Sequence, residues 1–214
     1  GGQGAPLVPF GDHKLFGSYD AALNLGGFAN CSIGAPRLSH GISEAFDICP
    51  LNRVLNAFAN ELGHEYDKDG LFARQGRINP WILDQLNSLS FYDQPAPKSL
   101  GQEWIDDAFI ELVDILAPKD ALATCVQHMA DQIGRHLKGK RTLVSGGGAF
   151  NTTLLQAIEA SGVDIVLPEK TIIEAKEAIV FALIGYERFM GNTNVIGTTT
   201  GSGIWHSSGT VFHP

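Results

Sequence analysis

The sequence predicts an α/β fold, a mixed sheet with helices packed on it and a helical block inserted part-way along. Short apolar strands alternate with amphipathic helices towards both ends of the chain. Between residues 64 and 139 the strands give way to segments with helical periodicity alone. The chain has 214 residues, 44% of them hydrophobic, which is enough for one main core.

The chain opens on GGQGAPLVPF, whose adjacent glycines and Gly-Ala-Pro read as an internal loop, so it is expected to be cut from something longer. Residues 22–32 read as two strands joined by a tight turn at Gly26 and Gly27. Residues 42–48 form a third strand, ending at Asp47 before Pro50. Leu51, Val54, Leu55, Phe58, Ala59 and Leu62 recur at helical spacing, with Gly63 as the stop. In the helical block, segments 81–89, 102–116 and 120–137 are expected, and in the loop between the first two Pro95 and Pro97 break regular structure. Trp104, Ile105, Phe109, Leu112, Val113 and Leu116 mark a broad apolar face on the second. The alternation resumes with a strand at 141–145, a glycine loop at 146–148, a helix at 151–160, a strand at 163–167 and a long helix at 171–190. Val195 and Ile196 read as a last edge strand before a Gly/Ser/Thr-rich tail.

Composition excludes several classes. The formal charge is −8 and the 15 basic residues are scattered, so a nucleic-acid partner is not expected. Cys31, Cys49 and Cys125 are too few and too far apart for a disulfide framework, and no His lies near them with zinc spacing, so no metal site is assigned. There is no apolar run of membrane-spanning length. The expectation is a soluble, cytoplasmic protein with no membrane partner.

The sharpest local signal is TLVSGGGAFNTTLL, a strand entering Gly146, Gly147 and Gly148 with a helix beginning just beyond. Glycine permits close backbone approach, and a helix start offers N–H groups to phosphate or adenosine. A tight connection needing positive φ is the plain alternative, but one glycine would satisfy it. Gly146 and Gly148 supply part of a dinucleotide fingerprint, yet Asn151 stands where its third glycine belongs, and no P-loop motif occurs. In NLGGFANCS the Gly26–Gly27 turn, flanked by Asn24 and Asn30, is either a phosphate cradle or simply a hairpin. Glu177 shares a helical stripe with Ile173, Val180, Phe181 and Ile184, where a carboxylate needs an ion-pair partner or a ligand-filled cleft. Glu174, one turn earlier, reads as a solvated charge. Asp47 is expected either to bind Mg²⁺ or hydroxyls, or to cap the next helix. Asp67 and Asp69 read as turn residues.

Together these motifs resemble the anhydro-N-acetylmuramic acid kinase family, a branch of the sugar kinase, heat-shock chaperone and actin superfamily. The resemblance runs nearly end to end: GGQGAPLVP at 1–9, NLGGFANCS at 24–32, AFDICPLN at 45–52, YDKDGLFARQG at 66–76, PAPKSLGQEW at 95–104, SGGGAFN at 145–151 and EAIVFALIG at 177–185. It implies a ribonuclease H-like, actin-type ATPase lobe, the C-terminal one of two, with ATP and Mg²⁺ in the cleft. It also implies an amino sugar substrate, 1,6-anhydro-N-acetylmuramic acid, cleaved and phosphorylated to N-acetylmuramate 6-phosphate, and it is consistent with a homodimer. By the resemblance, Gly26, Gly27 and Asn30 belong to a phosphate-binding turn and Gly146, Gly147, Gly148 and Asn151 lie near the adenosine. Gly1, Gly2, Gln3 and Glu177 fall on the sugar side. The family's first phosphate loop and its general-base aspartate precede GGQGAP, so no catalytic residue is assigned in this chain. The family usually has AFDTGPGN where AFDICPLN stands here, which leaves open a non-catalytic nucleotide- or sugar-binding module derived from the same lobe.

Overall fold

The computed structural model describes residues 4–34 and 42–212. Helix α1 (Val8–Phe16) leads into the hairpin of β1 (Ala21–Leu25) and β2 (Phe28–Gly34), then β3 (Ile42–Pro50) and α2 (Asn52–Glu61). The helical block holds α3 (Leu71–Gln75), α4 (Pro80–Asn87), α5 (Gln102–Trp104), α6 (Glu111–Val113) and α7 (Pro118–Leu137). After it come β4 (Arg141–Ser145), α8 (Thr152–Ala160), β5 (Asp164–Val166), α9 (Lys170–Phe189) and the short α10 (Gly197–Thr200).

The strands form one mixed sheet in the order β3-β2-β1-β4-β5. β2 pairs antiparallel with β1 and β3, whereas β4 runs parallel to β1 and β5 parallel to β4. Only β2 is reversed, which is the ribonuclease H-like arrangement and brings the carboxyl ends of β1, β3, β4 and β5 to one edge. In open α/β sheets that edge is where ligands bind.

The main core lies between the sheet and the helical block. Helix α7 packs against α2, α3, α4, α8 and β3, burying Leu122, Cys125, Met129, Ile133 and Leu137 completely. Its apolar stripe is wide because it is covered on several sides. On the opposite side α1 packs on α9, and Phe10 and Ile196 form a small separate cluster with Leu183 and Ile184.

The structure departs from the sequence reading in three places. Residues 8–16, for which the sequence reading assigned no helix, are helical: Pro9 sits in the first turn, where its missing N–H costs nothing, and packing on α9 supplies what a glycine-containing helix lacks in propensity. Segment 102–116 is not one regular helix, because a wider π-helical turn at Ile105–Ile110 separates α5 from α6. The wide turn aligns residues four apart, and Ile105, Phe109 and Val113 are all buried. The expected edge strand at 195–196 reduces to one bridge between Val195 and His206.

Candidate functional site

A cleft of about 550 Å³ opens between the sheet and the α1–α9 pair. Its floor follows from strand register. Asn24 lies opposite Asn30 on one side and Ser145 on the other, and Asn30 lies opposite Asp47. Residues in register project from the same face, so Asp47, Asn30, Asn24 and Ser145 form one polar row across four strands, roughly 14 Å wide at normal strand spacing. All four line the cleft.

The walls are charged. Lys176 of α9 meets Asp12 of α1 at 2.7 Å, with both side chains 6% exposed. The second oxygen of Asp12 accepts from the Ser32 hydroxyl of β2 at 2.8 Å. Next along α9, Glu177 is exposed and faces the cleft. On the β3 side, the Asp47 N–H donates to the Lys98 carbonyl at 3.0 Å, and the Asp47 carboxylate accepts from the Leu100 N–H at 2.9 Å. Asp47 therefore holds the loop at 97–100 rather than capping α2, whose N-cap Leu51 carries no side-chain cap. Burial pushes the Asp47 carboxyl above its usual range, and the Leu100 N–H opposes that shift. The buried Lys98 Nζ donates to the carbonyls of Phe91 and Tyr92 at 3.1 and 3.2 Å. Burial first, and then the nearby Arg135 charge, hold its pKa below the ordinary lysine value. Carboxylates at 12, 47, 174 and 177 thus face lysines that are already engaged.

The triple-glycine turn closes one end. Gly146 has φ +86°, and a Cβ there would lie 2.6 Å from Asn24 Oδ1 and 2.9 Å from the Leu25 carbonyl. Glycine at 146 is what lets β4 leave the sheet against the hairpin. Its N–H points to the Ile173 carbonyl of α9 at 3.4 Å. Gly148 abuts the side chains of Leu25 and Leu51. On the far side of this turn lies a smaller pocket of about 160 Å³. It is lined by Asn52, Asn56, Gly147, Gly148 and Asn151, together with the exposed rings of Tyr66 and Phe150.

A family model described as anhydro-N-acetylmuramic acid kinase matches residues 1–214. The chain belongs to the anhydro-N-acetylmuramic acid kinase family. Proteins with that name resemble it in several bacteria. The one from Streptomyces coelicolor is 34% identical, covering 94% of this chain and 55% of that protein. The one from Aliivibrio fischeri is 32% identical over 99% of this chain and 62% of that protein. The one from Pseudomonas syringae is 38% identical over 74% and 46%. The chain therefore spans from about half to about three-fifths of the length of the curated relatives it matches. Among solved structures, an activator of 2-hydroxyisocaproyl-CoA dehydratase from Clostridium difficile with bound ADPNP is similar with TM-score 0.49 and 15% identity, covering 86% of this chain and 66% of that one.

The kinase-family motifs at residues 4–9, 24–32, 45–47, 97–99, 145–146 and 177 converge on the large cleft. Asn30 and Glu177 line it, as does Gly146, while Gly147, Gly148 and Asn151 line the smaller pocket. Gly26 and Gly27 are not among the residues lining either cavity. Their carbonyls accept from the N–H groups of Asn52, Leu51 and Arg53, so the hairpin turn is tied to the start of α2. Gly1, Gly2 and Gln3 lie outside the described residues. Asn151 caps α8, accepting from the Leu154 N–H at 3.0 Å. Glu177 is not embedded in an apolar stripe: Ile173 and Val180 are buried, but the stripe opens at Glu177 and Phe181 onto the cleft. In AFDICPLN, the side chains of Ile48, Cys49 and Leu51 are fully buried. A bulge between the Ala29–Cys49 and Asn30–Asp47 pairs absorbs Ile48. Sequence reasoning missed Asp12, Lys176 and Ser145. Asp12 and Lys176 are ordinary surface-type residues in sequence, and only the approach of α1 to α9 pairs them.

Proposed function

We propose that this chain is the C-terminal lobe of an ATP-dependent kinase that opens the anhydro bond of 1,6-anhydro-N-acetylmuramic acid with water and phosphorylates it, giving N-acetylmuramate 6-phosphate in cytoplasmic recycling of cell-wall sugar. The observation that carries this reading is that Gly146 packs against Asn24 and Leu25 at the end of β1, and that Gly146, Asn24 and Glu177 line one cleft. In this reading the sugar lies over the polar row, with Glu177 and Asn30 accepting and donating to its hydroxyl and amide groups. The adenosine lies against Gly147, Gly148 and Asn151, where Tyr66 and Phe150 offer apolar faces to a base.

Mg²⁺ fits the donor set as a nucleotide-borne ion. Among the described residues no group of three His, Cys, Asp or Glu side chains comes together, so phosphate oxygens and water would supply most of its ligands, with Asp47 or Glu177 nearby. When bound, it neutralises charge on the phosphoryl oxygens. The excess of carboxylates over unengaged lysines in the cleft favours a nucleotide that arrives with its own cation.

The test is turnover of the anhydro sugar with MgATP by the full-length protein. Glu177→Gln is expected to lower kcat/KM for the sugar by about tenfold or more with unchanged thermal stability, because the side chain is exposed. The 214-residue chain alone is expected to be nearly inactive; turnover at an ordinary kinase rate would refute its being only one lobe. A second reading, a non-catalytic binding module, is favoured by the buried Ile48, Cys49 and Leu51. Binding of nucleotide and sugar by the full-length protein without any product would decide for it.

A further inference from the structure

The Asp12–Lys176 pair has no partner in the chemistry proposed above, yet it is built with care into the cleft wall. Both side chains are 6% exposed, and their 2.7 Å contact joins α1 to α9. The Ser32 hydroxyl anchors the same carboxylate to β2. One turn along, Gly11 faces Val180, and a Cβ at position 11 would collide with the valine side chain. The helices therefore meet at close range through a glycine, with the ion pair beside the crossing.

Hydrophobic contact is non-directional and lets a helix rotate or slide on its neighbour. A short, desolvated ion pair resists such motion, because separating its charges inside the protein is costly. A buried pair contributes little net stability compared with an apolar replacement of both partners, and its best-attested use is to select one register. Glu177 immediately follows Lys176, so the rotation that the pair selects for α9 also aims Glu177 into the cleft. We propose that Asp12 and Lys176 are positioning residues for sugar recognition: they fix the rotation of α9, and through it Glu177, against the polar row. This rests on the kinase reading for its ligand, but not for its geometry.

The test compares Lys176→Met with the double variant Asp12→Asn/Lys176→Met in the full-length protein. The single variant leaves a buried carboxylate unpaired and is expected to lower Tm, and the neutral double variant is expected to recover it. Sugar KM is expected to rise about tenfold in both, with nucleotide KM within about twofold of the parent. Return of sugar KM to the parent value in the double variant would overturn the proposal, since the pair would then act through stability alone. Lys176→Arg, which keeps the charge and changes the length, is expected to fold and still to shift sugar KM, and covers failure of the double variant. Amide hydrogen exchange along α9 gives a reading that needs no turnover. Faster exchange around residues 173–181, with β4 unchanged, is expected in the double variant, and unchanged exchange would overturn the proposal. Lack of turnover by the parent protein itself would count against the kinase reading only.

Discussion

The buried polar groups around His128 and those around Asp12 and Lys176 are solved differently. Under the helical block, His128 is fully buried between Asn87 Oδ1 at 2.7 Å and the Tyr92 hydroxyl at 2.8 Å. Gln132 donates to the same Asn87 oxygen at 2.9 Å. These three bonds join neutral groups, while Asn87 Nδ2 also donates to the Asp131 carboxylate at 3.1 Å, and burial holds the His128 pKa at about 3. In the cleft wall the buried groups are instead a charged pair, Asp12 and Lys176, beside exposed carboxylates. A sealed core can hold its histidine neutral because nothing there has to be exchanged with solvent. A cleft must present unsaturated polar groups to a ligand, so its charges are paired behind the surface and left open in front. The difference marks which cluster belongs to the core and which to function.

Substitution at the cleft's tightest point should have the largest effect. Gly146→Ala combines a left-handed φ with a clash against Asn24 and the Leu25 carbonyl, and is expected to cost about 3 kcal/mol or more. Equilibrium denaturation of the purified protein measures the cost, and loss of sugar and nucleotide binding together should accompany it. A stable variant with normal binding would mean that Gly146 does not pack against the end of β1.

Next comes the sealed network. His128→Leu leaves the Tyr92 hydroxyl without its partner and is expected to cost about 2 kcal/mol, while kcat and both KM values stay unchanged. The same residue sets a pH dependence. Its folded pKa, about 3, lies below the ordinary 6.5, so on acidification the unfolded chain takes up the proton first. Stability is therefore retained above about pH 6.5 and lost as pH falls towards 3, by up to about 1.4 kcal/mol per pH unit. His136, held near 4 by burial and by Lys98 and Arg135, acts in the same direction. Urea unfolding between pH 7 and pH 4 should show a shallower slope for His128→Leu than for the parent.

The smallest effect sharpens the comparison at its boundary. Asn151 caps α8 and lines the smaller pocket. Asn151→Ala should cost about 1 kcal/mol as a lost cap. A rise in nucleotide KM beyond that, read against Asn151→Ser, which can still cap, would separate a ligand contact from a helix end.

How much was legible depends on how local each signal is. The hairpin at Gly26 and Gly27, the strand at 141–145 and the helix after Asn151 were readable because turn glycines, apolar runs and an N-cap act within a few residues. Helix α1 was not, since its Pro and Gly content argues for a loop and its support comes from α9. Glu177 stood out as a carboxylate among apolar neighbours, whereas Lys176 beside it gave no sign of being buried.

The alternation of strands and helices, the glycine turns at 26–27 and 146–148, and the family could all be read from the residues, because these rest on propensity, periodicity and unusual short strings. It took the folded chain to show that Asp47, Asn30, Asn24 and Ser145 share a row, that Gly146 packs on the end of β1, and that Asp12 meets Lys176. Those relations depend on strand register and on the rotation of one helix against another. Both are set by packing between segments far apart in the chain, which local sequence does not encode.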